Sequence, residues 1–144
     1  MAHAIFDNFP TVFPHCAALG LQVVEHSLGY VKLELQPRPE FKSHSSVQVL
    51  HSSVVSSMAD SVSGLAAMAS KAEIVPLATL DLHVDYLKPA SSENTLFAEA
   101  ECFKRTKNVA FVRGVLWQEN SENVVANITA SFMLDTANTR RTDV

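Results

Sequence analysis

Residues 51–71, HSSVVSSMADSVSGLAAMASK, decide the fold. The stretch contains no proline, and alanine, methionine and leucine recur in it among serines, which predicts one long helix. Apolar positions run almost all the way round this helix, so it lacks a broad charged face. Helices of that kind are normally buried. We therefore expect this one inside a sheet, or between a sheet and a partner subunit.

The chain that follows the helix is predicted to be all β. Residues 79–87 alternate between apolar and polar side chains, as a strand does. The prediction places Leu80, Leu82, Val84 and Tyr86 on one face and Thr79, Asp81, His83 and Asp85 on the other. Three more strands are predicted at 96–103, 109–118 and 124–134, joined by polar turns at 104–108 and 119–123.

The chain that precedes the helix begins with a mixed segment. Prolines interrupt residues 4–19, which predicts one or two short helices, with Thr11 as a cap and an end near Gly20. Residues 21–27 and 30–35 are strand-like and predict a hairpin in which Gly29 takes a positive dihedral. Residues 36–48, rich in proline, serine and histidine, predict a long loop.

The predicted order is helix, two strands, long helix and four strands. Strands and helices do not alternate, so a doubly wound parallel sheet fits poorly. We predict an α+β fold in which an antiparallel sheet wraps around one long central helix. The expected organisation is a single domain over 1–144, with an N-terminal helical segment at 1–20 and a flexible tail at 136–144.

The composition of the chain limits the classes of function that it can have. Lysine and arginine number 11 against 15 aspartates and glutamates, a formal charge of -4, which disfavours nucleic acid as a partner. Cys16 and Cys102 lie far apart, and Cys102 is expected to be buried, so no disulfide is indicated. We find no signal-peptide pattern and no membrane-spanning stretch. These features predict a cytoplasmic protein without a membrane partner.

Three segments resemble one known family. They are HSSVVSSMADSVSGLAA at 51–67, ATLDLHVDYLKPA at 78–90 and AEAECFKRTKNVAFVRGVLW at 98–117. In their order and spacing they are similar to the hotdog-fold acyl-CoA thioesterase superfamily, and most closely to its PaaI-type, 4-hydroxybenzoyl-CoA thioesterase-like members. The resemblance covers most of the chain. It implies a hotdog fold and a homodimer, often paired into a homotetramer, with the acyl-CoA site at the subunit interface.

The resemblance also implies a set of site residues. Asp60 matches the acidic catalytic position, and Ser52 and Ser53 stand where the family has two glycines after a histidine. Thr79 falls where some relatives place a serine that orients the attacking water. The predicted substrate-binding residues are Ser45, His51, Ser57, Lys88, Arg105 and Lys107. Ser45 takes the place of a common asparagine, and the three basic residues are expected at the phosphates of coenzyme A. No cofactor is implied beyond the coenzyme A of the substrate.

The residues themselves support this chemistry. Thioester hydrolysis needs a base or nucleophile, and donors for the negative charge that grows on the carbonyl oxygen. Asp60 is expected to supply the first, on a helix face shared with small residues that leave room for water or substrate: Ser53, Ser56, Ser57, Ser63 and Gly64. The alternative is an aspartate neutralised by serine hydroxyls in a tight helix contact. The amides of Ser52 and Ser53, at the positive helix end, are the expected donors.

The histidines, the acidic residues at 81–85 and the aromatic side chains each have a structural explanation. His51 lies about half a turn round the helix from Asp60, which favours a capping role over general-base chemistry. His44 with His51, and Asp81 with His83 and Asp85, lack the ligand spacing of a metal site. Aromatic side chains are numerous enough to line an acyl tunnel, although core packing explains them equally well: Phe41, Phe97, Phe103, Phe111, Trp117 and Phe132.

The leading hypothesis is an acyl-CoA thioesterase with Asp60 as base or nucleophile. The alternative is a non-catalytic hotdog protein that binds an acyl-CoA, with serines in place of the two glycines marking lost catalysis. A hotdog dehydratase is a third and weaker hypothesis, because His51 and Asp60 are poorly placed to act together in one subunit.

Overall fold

The computed structural model describes residues 2–72 and 75–135. In these residues, six strands form one antiparallel sheet in the order β1-β2-β4-β5-β6-β3. The strands are β1 (Gln22–Ser27), β2 (Tyr30–Leu35), β3 (Leu77–Tyr86), β4 (Leu96–Arg105), β5 (Val109–Gln118) and β6 (Val124–Leu134). The helices are α1 (Ala2–Asp7), α2 (Phe9–Val12), α3 (Pro14–Leu19) and α4 (Ser52–Met68), with a 3-10 turn at Pro39–Phe41.

The long helix α4 packs on one face of the sheet, as predicted. Met58, Val62 and Ala66 of α4 are fully buried against the strands. Alternate residues of β2, including Val31 and Leu33, face them and are also fully buried. The helix ends at Met68 rather than at Lys71. The predicted α+β arrangement, a sheet around one buried helix, is confirmed.

The hairpin β1–β2 is also confirmed. Gly29 has a φ of 72°, the conformation that the turn requires. The Gly29 amide donates to the carbonyl of Ala69 at 2.8 Å. This bond fastens the hairpin to the C-terminal end of α4.

The predicted face assignment of β3 is wrong for Thr79 and Leu80. The pairing of β3 with β6 shifts register between Thr79 and Asp81, so Leu80 is the extra residue of a bulge. A bulge resets the two-residue alternation of a strand. Thr79 therefore shares the helix-facing side with Leu82 and Val84, and the Leu80 side chain is 53% exposed.

The N-terminal segment contains three short helices, rather than one or two. Its predicted end is confirmed, because Gly20 closes α3 in a left-handed conformation. The predicted cap is not: Thr11 lies inside α2, and α3 follows Phe13 without a side-chain cap. Phe9 is buried at 1% exposure and anchors the segment to the core.

Two remaining predictions concern the cysteines and the tail. Cys16 is buried and Cys102 is half-buried, which corrects the expected burial of Cys102, and neither forms a disulfide. The predicted tail at 136–144 lies outside the described residues. Over 2–72 and 75–135, the search for a helix that could cross a membrane found none.

Candidate active site

Asp60 and Thr79 meet where the middle of α4 faces the edge strand β3. The Thr79 hydroxyl donates to Asp60 Oδ1 at 2.9 Å. The bulge at Leu80 makes this contact possible, because without it Thr79 would point to the other face of the sheet. Asp60 has no ion-pair partner among the described residues. The two side chains that the resemblance assigned to catalysis therefore lie together.

A cavity of about 170 Å³ opens beside Asp60 and Thr79. Most of the side chains around it are apolar, and they come from α2, α3, α4, β3 and β6. The wall includes Phe9, Phe13, Leu65, Met68, Leu77 and Phe132.

The expected strip of serines around Asp60 is mostly absent from this cavity. Ser63 is buried in the core without a hydrogen-bond partner, and of the predicted strip Gly64 alone lines the cavity. The neighbouring Ser61 also lines it, but its hydroxyl donates to the carbonyl of Ser57 at 2.8 Å. The N-terminal segment and strands β3 and β6 supply the rest of the wall, and no periodicity within α4 could have shown that.

The start of α4 carries the second predicted group of residues. His51 is the N-cap, and its ring Nδ1 accepts from the Ser53 amide at 3.1 Å, which confirms the predicted capping role. The Ser53 amide, one of the two predicted donors, is therefore occupied by the cap. The Ser52 amide has no acceptor among the described residues. The Ser52 carbonyl accepts from the Tyr86 hydroxyl at 3.2 Å.

A second cavity, of about 410 Å³, lies at this helix start. Ser52, Val55, Tyr86, Lys88 and Val125 contribute to its wall. The Lys88 ammonium donates to Asn123 Oδ1. The structure thus brings Lys88 close to Ser52, and it adds Tyr86, which sequence reasoning used only as part of a family segment.

Within one chain, the Asp60 carboxylate and the Ser52 amide do not meet. Eight positions separate Ser52 from Asp60 on the same straight helix. At about 1.5 Å per residue, the two lie about 12 Å apart along its axis. A substrate carbonyl held by the Ser52 amide is out of reach of the Asp60 carboxylate of the same chain.

The predicted basic residues also lie at two different places in the structure. The Arg105 guanidinium donates to Ser70 Oγ, just beyond the C-terminal end of α4, and Lys107 is exposed in the turn after β4. Lys88 lies at the opposite end of this 17-residue helix, about 25 Å away along its axis. Within one chain, Lys88 and the basic turn therefore lie at different places, and their contact with the phosphates of coenzyme A stays a prediction.

Of the six predicted substrate-binding residues, only Lys88 lines one of the two cavities. Ser45 is exposed in the turn between Lys42 and Leu50, and Ser57 is half-buried on α4. Among the aromatic residues considered for a tunnel, Phe132 alone lines the cavity at Asp60. Phe41 and Trp117 are buried elsewhere, and Phe103 is 49% exposed. The other two aromatic residues that line this cavity are Phe9 and Phe13, which were not among those considered.

An antiparallel sheet around one helix, with a carboxylate at an apolar cavity and an available amide at the helix start, fits hydrolysis of an activated acyl group. The family model of the thioesterase superfamily matches residues 47–125. The chain therefore belongs to the thioesterase superfamily, and its activity class is thioester hydrolase.

Curated relatives match along most of their length. The medium/long-chain acyl-CoA thioesterase YigI of Salmonella typhimurium is 25% identical over 141 residues, which cover 89% of this chain and 90% of that protein. The YigI protein of Escherichia coli K12 is 24% identical over the same shares.

Solved structures confirm the hotdog fold. A Pseudomonas aeruginosa protein is 27% identical with a TM-score of 0.79, covering 92% of this chain and 98% of its own. The Escherichia coli PaaI protein from the phenylacetic acid degradation operon has a TM-score of 0.78 at 18% identity, covering 92% and 89%. A thioesterase family protein from Silicibacter pomeroyi has a TM-score of 0.81 at 23% identity, covering 93% and 98%.

Proposed function

We propose that this chain hydrolyses acyl-CoA thioesters to free coenzyme A and a carboxylic acid. The observation that carries the proposal is the Asp60 carboxylate, held by Thr79 at the mouth of an apolar cavity. An acyl chain needs an apolar wall, and its reacting carbonyl needs a polar group at the end of that wall. The names of the curated relatives support coenzyme A as the thiol.

Asp60 acts as the base or the nucleophile. Thr79 occupies Oδ1, and Oδ2 has no hydrogen-bond partner among the described residues, so Oδ2 is available to a water or to the thioester carbon. As a base, Asp60 takes a proton from water while the water oxygen attacks the carbonyl carbon. The carbon–sulfur bond then breaks, and the coenzyme A sulfur leaves as the thiol once it has received that proton. As a nucleophile, Asp60 bonds to the carbonyl carbon while the carbon–sulfur bond breaks, and coenzyme A leaves as a thiolate that takes a proton from water. Water then hydrolyses the acyl anhydride, which releases the carboxylic acid and regenerates the Asp60 carboxylate.

The Ser52 amide stabilises the carbonyl oxygen as negative charge develops on it. It stands at the first position of a 17-residue helix, where the helix dipole adds positive potential. Because the His51 ring occupies the Ser53 amide, Ser52 carries this role, and Ser53 joins only when the cap opens. A serine at position 52 can act as the family's glycine does, since the backbone N–H is the working group.

The two halves of the site come from different subunits of a homodimer. In one chain Asp60 and the Ser52 amide are about 12 Å apart, which excludes joint action on one carbonyl. The edge strand β3 carries Thr79, and at or beside it Leu80 and Leu87 are 53% and 57% exposed. An uncovered apolar strand edge is a natural pairing surface. Pairing through β3 would bring Asp60 of one chain toward Ser52 of the other.

The remaining predicted contacts follow from this dimer. Lys88 stands at the cavity by Ser52 and is our candidate for a phosphate of coenzyme A, as a charge-assisted donor. Arg105 and Lys107 lie at the opposite end of α4, so they would serve the same substrate only from another subunit. We propose that Ser45, His51 and Ser57 shape the approach to the site. Pairing of dimers into a homotetramer and a cytoplasmic location remain predictions.

One observation favours the alternative of a binding protein without turnover. The occupied Ser53 amide leaves one donor where the family pattern provides two. Under this alternative, acyl-CoA binds while turnover stays at background.

Release of free coenzyme A, read with a thiol reagent across short, medium, long and aromatic acyl-CoAs, separates the two functions. We expect turnover by the native protein and its loss in Asp60→Asn, which keeps the size of the side chain. Unchanged oligomer size and melting temperature would show that the variant folds. Native protein that binds acyl-CoA without releasing thiol establishes the alternative, and full activity in Asp60→Asn refutes the mechanism.

A further inference from the structure

We propose that the N-terminal segment forms one wall of an acyl pocket at Asp60, and that Phe13 limits the acyl group to about six carbon atoms. The inference rests on the proposed function, because it takes Asp60 as the reacting end. It concerns substrate length, which neither the fold nor the catalytic residues determine.

The cavity has a polar end and an apolar end. The residues of α4 that line it run from Asp60 through Gly64 to Met68. Asp60 and Thr79 lie at the first end, whereas Leu65, Met68 and Phe13 make the rest of the wall apolar. A thioester carbonyl at Asp60 therefore directs its alkyl chain along the helix, past the apolar side chains that line the cavity.

The N-terminal segment is packed firmly enough to act as a wall. Phe9 is 1% exposed, and its ring lies 5.7 Å from that of Phe13, centroid to centroid. The buried Cys16 thiol lies 3.5 Å from Ser61 Oγ and ties α3 to α4. These contacts hold Phe13 in place, and Phe13 itself is only partly buried.

The volume of the cavity sets the expected length. Apolar cavities of about 150 Å³ in proteins accommodate benzene, a molecule with six carbons. The cavity here is about 170 Å³. A hexanoyl group fits such a space, and a longer chain has to displace the Phe13 ring.

Gly64 offers a way to shorten the same pocket. A Cβ at this position would lie 3.6 Å from Phe132 and 3.8 Å from Leu77, which is ordinary packing distance. Gly64→Ala therefore adds a methyl group to the cavity without a steric clash, and alanine is the better helix former. Phe13→Ala and Gly64→Ala should change the accepted length in opposite directions.

The experiment uses butyl-, hexyl- and decyl-CoA thioethers, which cannot be hydrolysed, with the full chain in a calorimeter. The matching acyl-CoAs are assayed for kcat/KM. We expect the native protein to bind the hexyl compound best. Phe13→Ala should improve decyl over hexyl binding about tenfold, and Gly64→Ala should weaken hexyl relative to butyl binding about tenfold.

Phe6→Ala is the matched control. Phe6 is a phenylalanine of the same segment, buried at 8% exposure, but it stacks on His26 with centroids 4.4 Å apart and does not line the cavity. It should reproduce any general loss of stability without changing the preferred length.

The outcomes separate this inference from the proposed function. A length profile that is the same in Phe13→Ala as in the native protein, or that Phe6→Ala shifts equally, overturns the acyl pocket while hydrolysis still stands. Length-dependent binding that Phe13→Ala extends, without any thiol release, supports the pocket and overturns the hydrolase mechanism. Absence of binding by all three thioethers, with no thiol release from any acyl-CoA, overturns both.

Discussion

Two concave regions on opposite faces of the sheet differ in size and in chemistry. The cleft on the outer face, around Gly114, measures about 530 Å³, three times the cavity of about 170 Å³ beside Asp60. Tyr30, Glu99, Glu101 and Arg113 line the outer cleft, so it has more charged groups than the inner cavity. On size and charge alone, the outer cleft would be the better binding site.

The polar side chains of the outer cleft are hydrogen-bonded to one another. Arg113 Nε donates to Glu101 Oε1 at 2.6 Å, and the Tyr30 hydroxyl donates to Glu99 Oε2 at 2.7 Å. Burial, that hydrogen bond and the nearby carboxylates raise the pKa of the Tyr30 phenol well above its usual range. Such pairs stabilise the sheet surface and leave little for a ligand.

The inner cavity differs in what surrounds its carboxylate. Asp60, like Glu99, has a hydroxyl partner on one oxygen and no cation among the described residues, but most of the side chains around Asp60 are apolar. The comparison shows that an available reactive group beside an apolar wall identifies a site better than volume does.

The largest expected effect on kcat comes from replacing one carboxylate by its amide, and the same change in the other region is the comparison. Asp60→Asn should lower kcat about 10²–10⁴-fold, the usual contribution of a general base. Glu101→Gln, the matched change in the outer cleft, should leave kcat near the native value. Equal losses in the two variants, measured by thiol release, would break the distinction between the faces.

The next effect concerns the Ser52 amide. Ser52→Pro removes the backbone N–H together with the hydroxyl. It should leave the helix intact, because proline is tolerated at the first helical position and His51, with φ −62° and ψ 137°, already has a conformation that suits the residue before a proline. We expect turnover to fall about 10²–10³-fold. Ser52→Ala keeps the N–H and should retain most of the turnover. A Ser52→Pro protein as active as Ser52→Ala would exclude this amide as the donor.

A smaller loss is expected at Thr79. Thr79→Val removes the hydrogen bond to Asp60 and should lower kcat about 10–100-fold, since a bond to a charged group contributes about 1.5–3 kcal/mol. Thr79→Ser restores the hydroxyl and should recover activity. If valine and serine give the same rate, Thr79 does not position Asp60.

The smallest effect on activity is expected at Gly114. A Cβ there would clash with the carbonyl of Glu99, so Gly114→Ala forces the strands to shift and should destabilise the fold by about 1–3 kcal/mol. The kcat of the folded protein should stay near native. Denaturant unfolding and thiol release test the two halves of this prediction, and a selective loss of kcat would assign the outer cleft a catalytic role.

Much of the fold could be predicted from local pattern. The bounds of β5 and β6 agree with the sequence prediction, because each strand has a clear alternation between well-marked polar turns. The buried helix could be predicted from its lack of a charged face. Local signals suffice where an element alone determines its own structure.

The site was less predictable, because it depends on contacts between distant segments. The bulge at Leu80 reverses the face of Thr79, and a strict two-residue period gives no sign of it. Phe9 and Phe13 reach the cavity only through the packing of α2 and α3 on α4. Asp60 itself was recognised from its motif, whereas its surroundings required the tertiary structure.

The central claim is that Asp60 of one subunit acts with Ser52 of the other, and mixed dimers test it most directly. Asp60→Asn and Ser52→Pro chains with different tags are coexpressed, and dimers that carry both tags are purified. If the site is shared, one of the two sites in each mixed dimer is intact, and thiol release should return to about half of the native rate. Mixed dimers as inactive as either parent variant would contradict the claim.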